Sequence, residues 1–250
     1  MKKLIILSIY LAFSLHVSAQ DRPCMQGDCK NEYGSYYNEQ TSVVYHGFFK
    51  DGIYNGVGYH QNAKGSYYLS QFKNMMPTGF TVYDEGGGRT SGLYINGLKS
   101  GPHVRIVKNG RVFTREVLNY EKGFLLNRKT YSTPETPNSP CLAGTCENGF
   151  GILHNQGMLL IGIFNNKRLA YGEFLQLSNG NSEFFIVPSQ DKISSPYFKV
   201  SLIQQQGGSV QEVAATYKGR DVDGQYIVVN ASTGQTGGAL FKDNELVKKY

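Results

Sequence analysis

A chain that repeats one spacing of glycine and aromatic residues is confined to architectures built from a small unit stacked on its neighbours. The stretch from Tyr45 to Gly58 reads YHGFFKDGIYNGVG, with Tyr45, Gly47 and Phe49 at alternate positions and Gly52, Gly56 and Gly58 behind them. Later segments overlay on it. Gly47 aligns with Ser70 and Gly92, Phe49 with Phe72 and Tyr94, Gly52 with Met75 and Gly97, and Gly56 with Gly79 and Gly101, in steps of 23 and then 22 residues. Turn signals recur at Asp51-Gly52, Lys64-Gly65, Gly86 to Gly88, Asn96-Gly97, Asn109-Gly110 and Lys122-Gly123, and the stretches between them are rich in Tyr, Phe, Val and Ile. Two strands and two turns per unit predict an all-β protein, an elongated meander of antiparallel hairpins, and no window after the first residues carries a helical apolar period.

Strand alternation assigns Tyr45, Gly47 and Phe49 to one face and His46, Phe48 and Lys50 to the other. A ring on a neighbouring strand then lies over the bare backbone of each such glycine. Gly52 and Gly97 have a different role, because a two-residue hairpin turn needs positive φ.

Cys24-Met-Gln-Gly-Asp-Cys29-Lys-Asn31 returns as Cys141-Leu-Ala-Gly-Thr-Cys146-Glu-Asn148, with Gly34 and Gly151 shortly after each copy. Two related modules are expected, residues 24–131 and 141–250, joined by a proline-rich connector at 132–140 that contains Pro134, Pro137 and Pro140. Four cysteines allow three pairings. The modular reading pairs Cys24 with Cys29 and Cys141 with Cys146, as small loops that cap each repeat run. A four-cysteine zinc site is the rival, and an oxidising compartment argues against it.

Residues 1–19 have the layout of a signal peptide: Lys2 and Lys3, an apolar run from Leu4 to Leu15, then Ser18 and Ala19. That run is too short to span a bilayer, and no later segment is longer, so a transmembrane segment is not expected. Export to the periplasm, the cell surface or the medium follows. The formal charge of +6 falls to +4 when Lys2 and Lys3 leave with the leader. Basic residues are spread singly among acids, which argues against nucleic acid as a partner.

Catalytic spacing is missing. His46, His60, His103 and His154 fall in no metal-ligand pattern, and the Gly-rich runs precede no helix that would hold a phosphate. Ser70-Gln-Phe-Lys73 and Ser189-Gln-Asp-Lys192 match Ser-x-x-Lys without the helix that chemistry needs. Asp221-Val-Asp223-Gly224 resembles part of a calcium loop but lacks the closing acid and reads as a turn, and Asp84-Glu85 reads as a solvated pair at a hairpin tip. No catalytic residue, cofactor or metal ligand is assigned, and the chain is read as non-enzymatic.

The pattern Tyr45-x-Gly47-x-Phe49-x-x-Gly52-x-x-x-Gly56-x-Gly58, followed by Gly65-x-x-Tyr68, resembles a MORN repeat (membrane occupation and recognition nexus). Further copies lie around Tyr68 to Gly79 and Gly92 to Gly101. In the second module Leu160-x-Gly162-x-Phe164 keeps the opening, while Gly172 falls one residue from its place. The resemblance covers roughly half of the chain after the leader. It implies a scaffold that assembles proteins, and phospholipid has also been suggested for such arrays. The expected partner is therefore another envelope or extracellular protein. A glycan-binding or lipid-binding module is the alternative, with Tyr36, Tyr37, Tyr67, Tyr68 or Tyr83 presented outward as stacking platforms.

Overall fold

The structure, a computed structural model, describes residues 24–109, 112–134, 140–155, 158–176, 184–188, 197–204, 210–218, 221–230, 233 and 235–250. The leader at 1–19, Gly110, Ser189 to Lys192, Gly207 and Gly208 lie outside the described residues, as do 135–139 of the connector.

The described chain is all-β and falls into two ten-stranded antiparallel sheets with strands in chain order. The first comprises β1 (Cys24–Gly27), β2 (Tyr33–Asn38), β3 (Val43–Lys50), β4 (Ile53–Asn62), β5 (Tyr67–Lys73), β6 (Met76–Asp84), β7 (Thr90–Ile95), β8 (Leu98–Asn109), β9 (Val112–Glu121) and β10 (Phe124–Pro134). The second comprises β11 (Cys141–Gly144), β12 (Gly149–Asn155), β13 (Met158–Asn165), β14 (Arg168–Gln176), β15 (Phe184–Pro188), β16 (Tyr197–Gln204), β17 (Val210–Lys218), β18 (Asp221–Asn230), β19 (Thr236–Lys242) and β20 (Glu245–Lys249). The modules thus form separate sheets. Ser132, Thr133 and Pro134, expected in the connector, instead extend β10 and pair with Thr114, Phe113 and Val112. Pro134 is tolerated because β10 is an edge strand.

Among the described residues, six hairpins close on two residues that both take positive φ: Asp51 and Gly52, Asn74 and Met75, Asn96 and Gly97, Lys122 and Gly123, Asn166 and Lys167, Asp243 and Asn244. This geometry twists with the flanking strands. Because the turn takes only two residues, strands run right up to it, and β6 begins at Met76, directly after Asn74 and Met75.

The return strands β4, β6 and β8 each carry a bulge. Gly47 pairs with Gly58 and Phe49 with Tyr54, so three residues of β4 face one of β3. Gly56, Gly79 and Gly101 sit at these bulges with φ of 121°, 72° and 71°, a conformation that L side chains rarely adopt. In the second sheet Ile163 pairs with Tyr171 and Phe164 with Leu169, a bulge one residue shorter. That shorter bulge accounts for Gly172 falling one residue early.

Small residues form a row across the first sheet. Gly34 pairs with Gly47, Gly47 with Gly58, Gly58 with Ser70, and Thr81 with Gly92. Ser70 Oγ and Thr81 Oγ1 are 2.7 Å apart. The Tyr45 ring lies over both Gly47 and Gly58, and the His103 ring lies over Gly92. At Gly47 the covering ring comes from the same strand rather than the next one.

The sheets pack together. Tyr33, Phe48, Val57, Tyr59, Leu69 and Val82 of the first sheet share a core with Ala214, Ile227 and Val229 of the second. Tyr33 donates to Thr236 Oγ1 at 3.0 Å, Val57 N–H donates to Gln225 Oε1 at 2.7 Å, and Tyr250 packs on Tyr33 and Phe48. A meander whose units touch only sequence neighbours describes each sheet but not this face. Tyr45 and Phe49 point to the opposite face, in a cluster with Tyr36, Tyr54 and Phe72.

Candidate interaction surface

The tyrosines expected as outward platforms divide. Tyr36 and Tyr83 are 7% and 2% exposed, so neither presents a face to a ligand. Both are absorbed into a ladder of rings on the outer face of the first sheet. Tyr45 stacks on Tyr54 at 3.8 Å, Phe72 meets Tyr45 edge-on at 5.4 Å, Tyr68 stacks on Tyr83 at 5.7 Å, and His103 meets Tyr94 and Tyr120. Tyr67 packs beside Tyr59 on the inter-sheet face. Tyr37 is half-buried and lines a pocket of about 350 Å³ with Ser42, Val44, Gln61, Asn62 and Gly65.

A polar cluster closes the ladder. Tyr68 donates to Glu85, and Lys99 Nζ lies 2.8 Å from the other carboxylate oxygen. Lys99 also stands over the Tyr83 ring at 4.5 Å and the Tyr120 ring at 5.2 Å. Partial burial alone would push the Glu85 carboxyl up, but the bonds from Lys99 and Tyr68 outweigh it and hold it below its ordinary range. Glu85 is exposed, as expected of a hairpin tip, and is also held by these partners. His103 contacts the Leu93 carbonyl through Nε2 at 3.0 Å and the Tyr83 hydroxyl through Nδ1 at 3.1 Å. Since a carbonyl only accepts, Nε2 carries the proton and Nδ1 accepts. Burial, opposed by that carbonyl, takes His103 down to about 4. His46, between Ser35 and Thr236, is likewise lowered by burial to about 4. These rings are neutral and structural at pH 7.

Other sequence patterns resolve into scaffold. Ser70 lies on β5, where its hydroxyl meets Thr81, and Lys73 ends that strand. Asp221 and Asp223 lie in β18 rather than in a turn; Asp221 accepts from Asn244, and Asp223 pairs with Lys242 at 2.8 Å. The cysteines form the bonds Cys24–Cys29 and Cys141–Cys146. In each loop the second cysteine sits over a glycine of the second strand of its sheet, Cys29 over Gly34 and Cys146 over Gly151. Among the described residues no helix is long and apolar enough to cross a membrane.

What remains open to solvent is a row of apolar side chains. The residue that follows each of the four described two-residue turns of the first sheet is Ile53, Met76, Leu98 or Phe124, and all four are exposed. Met75, Ile95, Leu125 and Leu126 widen the row. Successive members are coupled, because Met76 covers Gly97 and Leu98 covers Gly123. Carrying the repeat overlay one residue beyond Gly52, Met75 and Gly97 would have exposed this row in the sequence.

The fold and this surface define an all-β protein of two disulfide-closed hairpin sheets with a periodic apolar edge. No protein-family model matches the chain, and no curated protein matches it.

Proposed function

We propose that this chain is an exported, non-enzymatic, MORN-like repeat scaffold that binds another protein of the cell envelope or extracellular space. The observation that carries the reading is the row Ile53, Met76, Leu98 and Phe124. Apolar side chains recur there in steps of 23, 22 and 26 residues and stay in solvent, where contiguous apolar surface marks contact sites. Export is supported by the signal-like leader and by the two disulfides, which persist in oxidising compartments. The MORN likeness rests on the sequence pattern and on the shared turn and bulge positions of the first three units.

The test is affinity capture from an envelope extract with the chain from Gln20 as bait, beside a variant carrying Ile53→Lys, Met76→Lys and Leu98→Lys. A stoichiometric protein held by the native bait and lost from the variant is the expected outcome. Equal capture by both baits would overturn the assignment to this row.

Glycan binding is the second reading, and one feature favours it. Tyr37 with Gln61 and Asn62 sets an aromatic ring beside amides in an open pocket, a combination suited to a sugar ring. Retention of polysaccharide by the bait, abolished by Tyr37→Ala, would put this reading first.

A further inference from the structure

The turns of the first sheet are tied to one another by a recurring hydrogen bond. Gly52 N–H donates to the Lys30 carbonyl at 2.9 Å, Met75 to Tyr54 at 3.1 Å, Gly97 to Pro77 at 3.0 Å, and Gly123 to Lys99 at 2.9 Å. In the last three, the acceptor stands two residues beyond the second residue of the preceding turn. The apolar contact follows the same rule at Gly97 and Gly123, which rest on the side chain just after the previous turn, Met76 under Gly97 and Leu98 under Gly123. After Gly123 the rule points to the Leu125 carbonyl as the next acceptor and to Phe124 as the next seat. Among the described residues no turn reaches either, and Phe124 is 76% exposed.

The two ends of this sheet are built differently. At the first end, β1 has four residues, an irregular register and a disulfide, all of which blunt an edge. At the other, β10 offers eleven residues and, among the described residues, pairs with β9 alone. Three exposed apolar residues, Phe124 to Leu126, stand at its start, followed by exposed Arg128 and Lys129.

We propose that the free edge of β10 is a strand-addition site for a hairpin of another protein, one that ends in a two-residue Asn-Gly type turn and carries carboxylates opposite Arg128. This inference rests on the scaffold reading and names the kind of partner. The glycine of the incoming turn sits on Phe124, its N–H reaches the Leu125 carbonyl, and its strand continues the antiparallel ladder, a recognised mode of peptide capture. A second copy is the poorer occupant. Full-length antiparallel pairing of two β10 strands sets Arg128 of one copy diagonally beside Arg128 of the other on the same face, where like charges oppose association. An acidic strand turns that repulsion into complementarity.

The experiment titrates the isotope-labelled full chain with a short disulfide-cyclised hairpin that has an Asn-Gly turn, apolar residues flanking it and glutamates along one strand. Backbone amide shifts are followed. Saturable shifts concentrated on residues 124–130 are expected, with affinity falling about tenfold or more when the docking-edge amides are N-methylated or when Phe124 becomes Asp. Phe124 is a surface side chain, so Phe124→Asp leaves the fold intact, as its unshifted core amides would show. Equal binding by the N-methylated hairpin, shifts that map elsewhere, or no binding at all would overturn the proposal. If the hairpin fails while the Ile53, Met76 and Leu98 triple variant still loses its captured protein, strand addition falls and the scaffold reading stands.

Discussion

Tyr45 lies flat over Gly58: a Cβ added to that glycine would stand 2.6 Å from ring carbon Cε2. The same ring spans Gly47, whose own added Cβ would meet the Gly58 Cα at 2.6 Å. Gly47→Ala therefore forces backbone against backbone and overfills a buried site. A loss of about 3 kcal/mol is expected by denaturant unfolding. Gly52→Ala has no atom within 4 Å of its new Cβ and pays only for its φ of 74°, about 1 kcal/mol. Equal losses at the two sites would contradict the separation of packing from turn roles.

Met75 offers the reverse case. It takes φ of 67° at the place where Gly52 and Gly97 stand in the neighbouring units. Met75→Gly should raise stability by about 1 kcal/mol, because relief of the left-handed strain exceeds the added freedom of the unfolded chain. Thermal unfolding monitored by circular dichroism checks it, and a lower midpoint would refute it.

Acidification should destabilise the fold before any carboxylate is involved. Burial holds His46 and His103 near pH 4, below the ordinary value near 6.5. Between those limits the unfolded chain binds protons that the native chain refuses, so stability present above pH 6.5 is lost as pH falls toward 4. His103, fully buried, contributes on the order of 3 kcal/mol across that window. Denaturant midpoints at pH 7 and pH 4.5 measure the slope. His103→Gln should flatten it, and an unchanged slope would remove His103 from the account.

The disulfide loops cap the small-residue rows: Cys29 covers Gly34, where the row of the first sheet begins, and Cys146 covers Gly151, which pairs with Gly162 as Gly162 pairs with Gly172. Each closes a separation of five residues, so the chain-entropy contribution is modest, about 2 kcal/mol per bond. Cys24→Ser with Cys29→Ser should increase hydrogen exchange in β1 and β2 first. Uniform exchange across the first sheet would argue against a local cap.

Within each sheet the local devices were legible in the sequence because they are short-range. Asp51-Gly52 and Asn96-Gly97 specify turns chemically, and alternation sorts Tyr45 and Phe49 from Phe48. The packing of one sheet on the other was not legible. It depends on Tyr33 meeting Thr236 and Val57 meeting Gln225, across 203 and 168 residues of chain, and no periodicity encodes such a contact. The same gap explains the tyrosines. Tyr83 and Tyr36 carry the composition of a binding platform, and only the stacking of successive hairpins decides that Tyr68 and Tyr54 cover them. The partners of Glu85, an exposed residue as expected, were hidden for a related reason, since Lys99 reaches it from the next hairpin.

The most direct test of the central claim is hydrogen–deuterium exchange of the chain from Gln20, alone and bound to its captured protein. Protection gained at the turns around Ile53, Met76 and Leu98 and along Phe124 to Thr130 is the result expected of a scaffold that binds through its apolar row. Protection confined to the Tyr37, Gln61 and Asn62 pocket, with those turns exchanging as before, would contradict it.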